Sequence, residues 1–466
     1  LIVRGAPWVG LRPSGDPSVG WRAAAGAAGA VVAAPEAGTS AAASPASAAE
    51  TVIPLGGRRV VVLGAGKATI GMAAVLDELL GERIAAGCVV VKHGQGRCLR
   101  HIEVREASHP VPDGSSLAGG LRLLELAEAA GPDDLVVGLV TGGSSALAVV
   151  PAEGLTLTDK VAANRLLLGC GADIVAINNV RKHLSRIKGG RLARACACEI
   201  VNLTVSDVVG DPLDCVTDLL VPDRSTWRDA QATCDRFGLW ERLPPAAAAR
   251  LRDADPADET PKDLPRIRTW VVADAERMCA AAAAAAARRG YAARVVGLDL
   301  EGEAADTGRR LAAEIAAAAP RTCLVAGGEN TVTLPLGDGA EAAQPTPGGG
   351  PGEDATAAVP GSHEDVAAAG GPSQEAALAA ALVLGEAGNA ACLLCMDSDG
   401  TDGPTEAAGG LVDDLSLGNA VSSGVDVGAA LAAHVSGAAL ARLGDRLVTG
   451  PTGTNVNDLK VALRGG

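Results

Sequence analysis

The chain has 466 residues, a length that predicts two domains rather than one core. Its hydrophobic content of 48% makes it globular, and with 2% aromatic residues the core has to be built from Ala, Val and Leu. A formal net charge of −15 excludes a general nucleic-acid or membrane-surface binder, so any anion site must be local. Residues 1–50 are rich in Ala, Gly, Ser and Pro, with Arg4, Arg12 and Arg22 spread through them. They read as a disordered leader or as the remnant of a transit peptide, which would place the protein in a mitochondrion or plastid.

From residue 56 the pattern becomes apolar strand, glycine turn, helix. "RRVVVLGAGKATIGMAAVLDELLG" ends its apolar run at Leu63, turns through Gly64-Ala65-Gly66-Lys67 and continues with apolar residues at helical spacing. The turn is not a Walker A loop, which needs glycine where Val61 stands. Nor is it a dinucleotide fingerprint, which needs glycine at Thr69. Gly64 and Gly66 still let backbone N–H groups approach an anion at a helix N-terminus, and Lys67 adds a point charge. The alternative is a tight turn with a solvated lysine.

"AGCVVVKHG" is a second strand and "DDLVVGLVTGGSSALAVV" a third. The third ends in a turn where Gly142, Gly143, Ser144 and Ser145 could hold carboxylate or phosphate oxygens. That turn approaches the G-x-S-x-G elbow of serine hydrolases but has Ala146 in place of the last glycine. Its serines could instead cap a helix. "NNVRKHLSRIKGGRLA" (178–193) is the densest cationic cluster of an acidic chain. It is either a solvated helix face or the surface that steers an anionic substrate, with Arg181 and Lys182 as its contacts. A fourth strand ends in "SDVVGDPLD", where a turn explains Asp211 and leaves Asp207 to orient a hydroxyl or hold Mg²⁺. Strands alternating with helices predict a parallel sheet covered on both faces.

Residues 241–265, rich in Pro, Asp and Ala, read as a boundary, giving domains 51–262 and 263–466. Beyond it "RTWVVAD", an Ala-rich helix 275–289, "ARVVGLDL", a helix 302–319, "TCLVAGGENTVTL" and "NAACLLCMDSDGTDGPT" repeat the α/β logic. Residues 337–371 lack periodicity and predict a disordered insertion. Cys392 and Cys395 have CxxC spacing without a second pair and read as buried hydrophobes. The eleven cysteines follow no regular spacing, which points to a reducing compartment, the cytoplasm. No apolar run approaches the ~20 residues of a membrane span. "DSDGTDGPT" (397–405) fails as an EF-hand, because Asp402 and Ala408 occupy the positions of its glycine and bidentate acid. Two acidic strand ends, glycine turns and a lysine are the inventory that phosphoryl transfer needs.

Taken in order, "VLGAGKA", "SHPVPDGSS", "VTGGSSAL", "NNVRKHLSRIKGGRLA", "SDVVGDPLD", "AGGENTVT", "GTDGPTEAAGG" and "TGPTGTNVNDL" resemble the glycerate 2-kinases of the MOFRL type, from about Arg58 to Leu463. The resemblance implies a Rossmann-like N-terminal domain and a smaller α/β C-terminal domain around a cleft. It also implies phosphorylation of D-glycerate at the 2-hydroxyl by ATP with Mg²⁺. Lys67 and Asp207 would be catalytic, Asp402 a metal ligand, and Gly327, Gly328 and Glu329 nucleotide contacts. One departure stands out: where the family has Gly-Gly-Arg-Asn-Gln-Glu, with an arginine thought catalytic, this chain has Gly370-Gly371-Pro372-Ser373-Gln374-Glu375. A catalytically impaired glycerate- or nucleotide-binding homologue is therefore the alternative. A further rival, an NAD-linked oxidoreductase, is opposed by the missing GxGxxG.

Overall fold

In the computed structural model the described residues are 51–206, 218–333 and 370–466, with two short strands before them. Strand β1 (Leu11–Arg12) pairs antiparallel with β2 (Trp21–Ala23), which pairs antiparallel with β3 (Thr51–Ile53), so the leader, expected to lack structure, contributes two strands. The chain forms two units, residues 1–274 with 453–456, and residues 275–452 with 457–466.

Continuous apolar runs build the first sheet: β4 (Val60–Ala65), β5 (Ile84–Lys92), β6 (Glu103–Ala107), β7 (Leu135–Val140), β8 (Glu199–Val205) and β9 (Ile267–Ala273). Every residue of β4 and β7 is buried, the signature of strands covered on both faces. Val61, Leu63 and Ala65 share a core with Leu123 and Leu124 of helix Gly114–Ala129. On the opposite face, a Cβ at Gly64 would lie 2.8 Å from Thr69 Cγ2 of helix Thr69–Leu80. The strands run β6-β5-β4-β7-β8-β9, and all their ladders are parallel. Counted along the chain this is the doubly wound order 3-2-1-4-5-6, whose direction reverses between β4 and β7.

Strand β9 corrects the expected boundary. "RTWVVAD" was assigned to the second half, but it pairs with β8 at the edge of the first sheet, and the first unit runs to Asp274. The stretch that looked like a linker holds helix Pro245–Arg252, whose Ala247, Ala248 and Leu251 join a cluster with Ala163, Val180 and Trp227. Proline at the start of that helix is compatible with helix geometry, so composition alone mistook a packed element for a boundary.

The second sheet is mixed, β10 (Ala292–Gly297), β11 (Thr322–Gly327), β15 (Asp458–Arg464), β12 (Ala391–Asp397), β13 (Gly409–Asp413) and β14 (Arg446–Leu447) in spatial order. Only the β10–β11 ladder is parallel. Helix Pro372–Ala387 is buried almost throughout its first three turns and crosses helix Ala304–Ala317 closely. A Cβ at Gly308 would sit 2.0 Å from the Ala376 carbonyl oxygen, so the crossing exists only because the chain is small-residue-rich here. The predicted insertion 337–371 lies outside the described residues except for Gly370 and Gly371.

Candidate active site

The carboxyl ends of β4 and β7 meet where the strand order reverses, the place at which open α/β sheets bind ligands. Their two turns are bonded to each other. Thr141 N–H donates to the Ala65 carbonyl at 3.0 Å, and Lys67 N–H donates to the Gly142 carbonyl at 2.9 Å. Ala68 N–H donates to Thr141 Oγ1 at 3.2 Å, while Thr69 Oγ1 donates to the Leu139 carbonyl at 3.0 Å. Gly66 has φ +139°, and a Cβ there would be 2.0 Å from Thr141 Oγ1. Glycine is therefore required by the junction itself. Gly64 is likewise confined by packing, as described above.

Gly143 has φ +85° and precedes the short helix Ser144–Leu147 without a side-chain cap, so neither serine plays the capping role considered from sequence. A Cβ at Gly143 would lie 3.2 Å from Lys67 Cγ and 3.3 Å from His109 Nε2. Lys67 and His109 thus flank one glycine at the sheet's switch point. His109 was missed in the sequence, because nothing in "SHPVPDGSS" tells a single histidine's destination. Ser144 is buried, and Ser145 Oγ accepts from Lys188 Nζ at 2.7 Å.

The basic run divides. Lys182 is buried and its Nζ donates to Asp223 Oδ1 at 3.0 Å. Asp223 also accepts from Ser225 N–H at 2.9 Å and Thr260 Oγ1 at 2.9 Å. Lys182, expected as a substrate contact, is thereby committed to an internal ion pair. Arg191 pairs with Asp258 at 2.5 Å. His183 is wholly buried, with Nε2 2.9 Å from Glu259 Oε1. Arg181 takes another direction, since neighbours on a helix point about 100° apart. It lines a cavity with Ser145, Lys160 and Lys188. Lys188 Nζ donates to Asp218 Oδ2 at 3.1 Å, and burial pushes this lysine down to about 8. Lys160 escaped notice, although it had a signal: it falls with Ala163 and Leu167 on the buried stripe of helix Leu157–Leu168.

Asp207, the expected catalytic aspartate, lies outside the described residues. The candidates of the second unit are described. Gly328 has φ +125°, and a Cβ would meet the Leu300 N at 2.1 Å. Its carbonyl accepts from Lys460 Nζ, Gly327 is buried at the end of β11, and Glu329 is exposed. Asp402, expected to hold Mg²⁺, is buried, and its carboxylate is occupied: Oδ1 accepts Ser373 N–H at 3.0 Å, and Oδ2 accepts Gln374 N–H at 2.7 Å and Gln374 Nε2 at 3.0 Å. It closes the start of helix Pro372–Ala387, a donor-filled environment that does not fit a metal ligand. Burial outweighs those donors and raises Asp402 to about 6. Asp397 sits opposite Asp458 in the β12–β15 ladder, and burial, reinforced by the neighbouring carboxylate, raises it to about 9. Among the described residues no group of three or more His, Cys, Asp or Glu is placed to hold a metal. No described helix is long and apolar enough to cross a membrane.

Residues 25–252 match a domain of unknown function, DUF4147, and residues 351–458 match the MOFRL family. A glycerate 2-kinase of Pyrococcus horikoshii is 36% identical, covering 87% of this chain and 87% of that protein. A protein of Agrobacterium vitis with the provisional name hydroxypyruvate reductase is 39% identical over the same shares. Among solved structures, the glycerate kinase of Thermotoga maritima is similar at a TM-score of 0.73 and 33% identity, over 87% of this chain and 92% of that one.

Proposed function

The chain belongs to the glycerate kinase family and is a kinase, and from that premise we propose that it transfers the γ-phosphoryl group of ATP to the 2-hydroxyl of D-glycerate, giving 2-phosphoglycerate. The observation that carries this reading is the position of Lys67 at the switch point of a doubly wound sheet, locked by Gly66 and Thr141 and packed on Gly143. A loosely bonded phosphoryl group in transit needs charge neutralisation and positioning more than covalent help. Lys67 supplies the charge, and the Gly66 and Gly142–Gly143 turns supply close backbone approach. Asp207, two residues past β8, is the proposed base for the acceptor hydroxyl, and His109 flanks the same turn. Gly327, Gly328 and Glu329 are proposed to contact the nucleotide.

Magnesium fits this reading as the partner of the nucleotide phosphates, since Mg²⁺ commonly keeps several waters and few protein carboxylates; Asp402, whose carboxylate accepts from Ser373 and Gln374, is not proposed among its ligands. The proposed compartment is the cytoplasm. With Pro372 in place of the family's arginine, the expected enzyme is slow rather than dead. An ADP-release assay with D-glycerate, followed by identification of the phosphoglycerate isomer, tests the proposal. ADP release dependent on D-glycerate with the 2-phosphate as product supports it, and binding without ADP release turns it toward a non-catalytic homologue. The reductase name of the Agrobacterium vitis protein makes one control worthwhile. NADH oxidation by hydroxypyruvate is not expected, because Thr69 stands where a dinucleotide loop has glycine and its hydroxyl is spent on the Leu139 carbonyl.

A further inference from the structure

Strand β6 (Glu103–Ala107) lies at the edge of the first sheet, separated from β4 by β5, yet the residue two past its end reaches the switch point. The connection responsible is Ser108–Asp113, which joins β6 to helix Gly114–Ala129. Asp113 closes it at both ends: Oδ2 accepts from Ser108 Oγ at 2.7 Å, and Oδ1 accepts from Ser115 N–H at 2.9 Å and Ser116 N–H at 3.1 Å. Pro110 and Pro112 fix two φ angles between these anchors. The helix start is in turn bonded to the segment after β7, where Val149 N–H donates to the Ser116 carbonyl at 3.1 Å. A Cβ at Gly120 would be 2.7 Å from the Val149 carbonyl oxygen, so backbone meets backbone there. His109 is therefore carried to the β7 turn by a loop tied down on both sides.

At that turn the half-buried imidazole presents its Cδ2–Nε2 edge to Gly143, each atom 3.3 Å from the place a Cβ would occupy. Lys67 Cγ borders the same place at 3.2 Å. A side chain on Gly143 would crowd both neighbours, whereas bare glycine leaves the lysine and the imidazole edge beside one turn. A phosphoryl group in transit spreads its charge over three equatorial oxygens, more than one ammonium covers. A ring nitrogen next to Lys67, able to donate and to carry charge near neutral pH, has the chemistry to share that task.

We propose that His109 is a further catalytic residue of the phosphoryl transfer, its Nε2–H donating to an oxygen of the γ-phosphoryl group beside Lys67. The proposal rests on the glycerate kinase reading and deepens it. The acceptor hydroxyl oxygen forms the new bond to the γ-phosphorus, the bond from that phosphorus to the β,γ-bridging oxygen breaks, and its electron pair leaves with ADP. The hydroxyl proton goes to the proposed base, Asp207. His109 keeps its own proton throughout, so its charged form is the active one. An ATP phosphate beside the ring makes it hold that proton more tightly, against the opposing charge of Lys67 from the β4 turn.

Two measurements on the full chain separate this role from a merely structural one. In the ADP-release assay, His109→Ala should lower kcat by ~10²-fold with little change in KM for D-glycerate. His109→Gln, which offers an amide N–H in place of Nε2–H, should recover part of that loss and keeps the test available if the alanine variant does not fold. The parent's kcat should fall as pH rises through the imidazole range, ordinarily centred at about 6.5, and His109→Gln should lack that limb. An unchanged kcat in the folded variants, a limb that survives in His109→Gln, or a loss confined to KM overturns the assignment and leaves the kinase reading in place. The second measurement needs no turnover. The His109 ring C–H signal in proton NMR, identified by its disappearance in His109→Gln, should titrate at higher pH once ATP is added. If ATP leaves that titration where it was, the assignment is wrong. If ATP raises it while D-glycerate elicits no ADP release, the phosphate contact of His109 stands and the glycerate reading is what fails.

Discussion

Lys67 and Lys182 carry the same charge, yet truncating them should do opposite things. Lys67 is half-buried at the end of β4, where its stem packs on Gly143, and Lys67→Ala should lower turnover by ~10³ with little change in the thermal midpoint. Lys182→Ala strands the buried Asp223 carboxylate, whose remaining donors from Ser225 and Thr260 cannot neutralise it. A cost of about 3–5 kcal/mol in denaturant unfolding is expected, with turnover per folded molecule largely kept. Equal losses of stability in the two variants, or a turnover collapse in folded Lys182→Ala, would contradict this division. The sequence could not separate the two lysines, nor Lys182 from Arg181 beside it, because a run of basic residues states charge but not burial. The glycine turns after β4 and β7 were legible as strand ends, since an apolar run closed by glycines marks one, while the role of Lys67 stayed open between an anion contact and a solvated tip. Lys160 was not, because a lysine on an apolar stripe is read by habit as a solvated tip reaching out, whereas its ammonium here turns inward to the Arg181 carbonyl.

At the level of the element, helix Pro372–Ala387 explains how the chain tolerates its departure from the family motif. Pro372 occupies the first helical position, where no N–H is needed, and the next two N–H groups are taken by Asp402 from another loop. Removing that cap with Asp402→Ala leaves buried donors unmet and should cost about 1–3 kcal/mol, read as a lowered unfolding midpoint. Magnesium dependence should stay as it was; a lost magnesium requirement with unaltered stability would return Asp402 to the metal. Pro372→Arg, by contrast, sacrifices no hydrogen bond at its half-buried site and restores a cation of the kind that can be worth ~10³ in phosphoryl transfer. A higher turnover number with a nearly constant Michaelis constant is expected. If turnover does not move, another cation already fills that role. Substitution at this position was plain in the sequence. The capping role of Asp402 was not, because it joins residues far apart along the chain, and a lone sequence gives no contact between them.

On the scale of the molecule, alternating strands and helices made the α/β class and the parallel first sheet legible, while the assignment of β9 needed the structure. An edge strand has no local mark of which sheet it joins, and the packed helix before it resembled a linker in composition. The two units also differ in where they keep their displaced ionisations, which predicts opposite responses to pH. In the second unit Asp397 and Asp402 hold protons more tightly folded than unfolded, with folded values of about 9 and about 6 against the ordinary 3.8. Their contribution is complete below the ordinary value and is lost as pH rises, through about 6 for Asp402 and about 9 for Asp397. In the first unit Lys188 runs the other way, with a folded value of about 8 against 10.5, so its contribution grows as pH rises above 8 and disappears as pH falls through it. Each fully developed difference of one proton changes stability by ~1.4 kcal/mol per pH unit. Between pH 8 and 9, scanning calorimetry should therefore show the transition of the second unit moving down while that of the first holds or moves up. Asp397→Asn should remove the downward movement, since an amide cannot lose the proton that the carboxyl pair with Asp458 shares. Two transitions that shift together across this interval, in both the parent and the variant, would show that these buried groups do not govern the stability of their units.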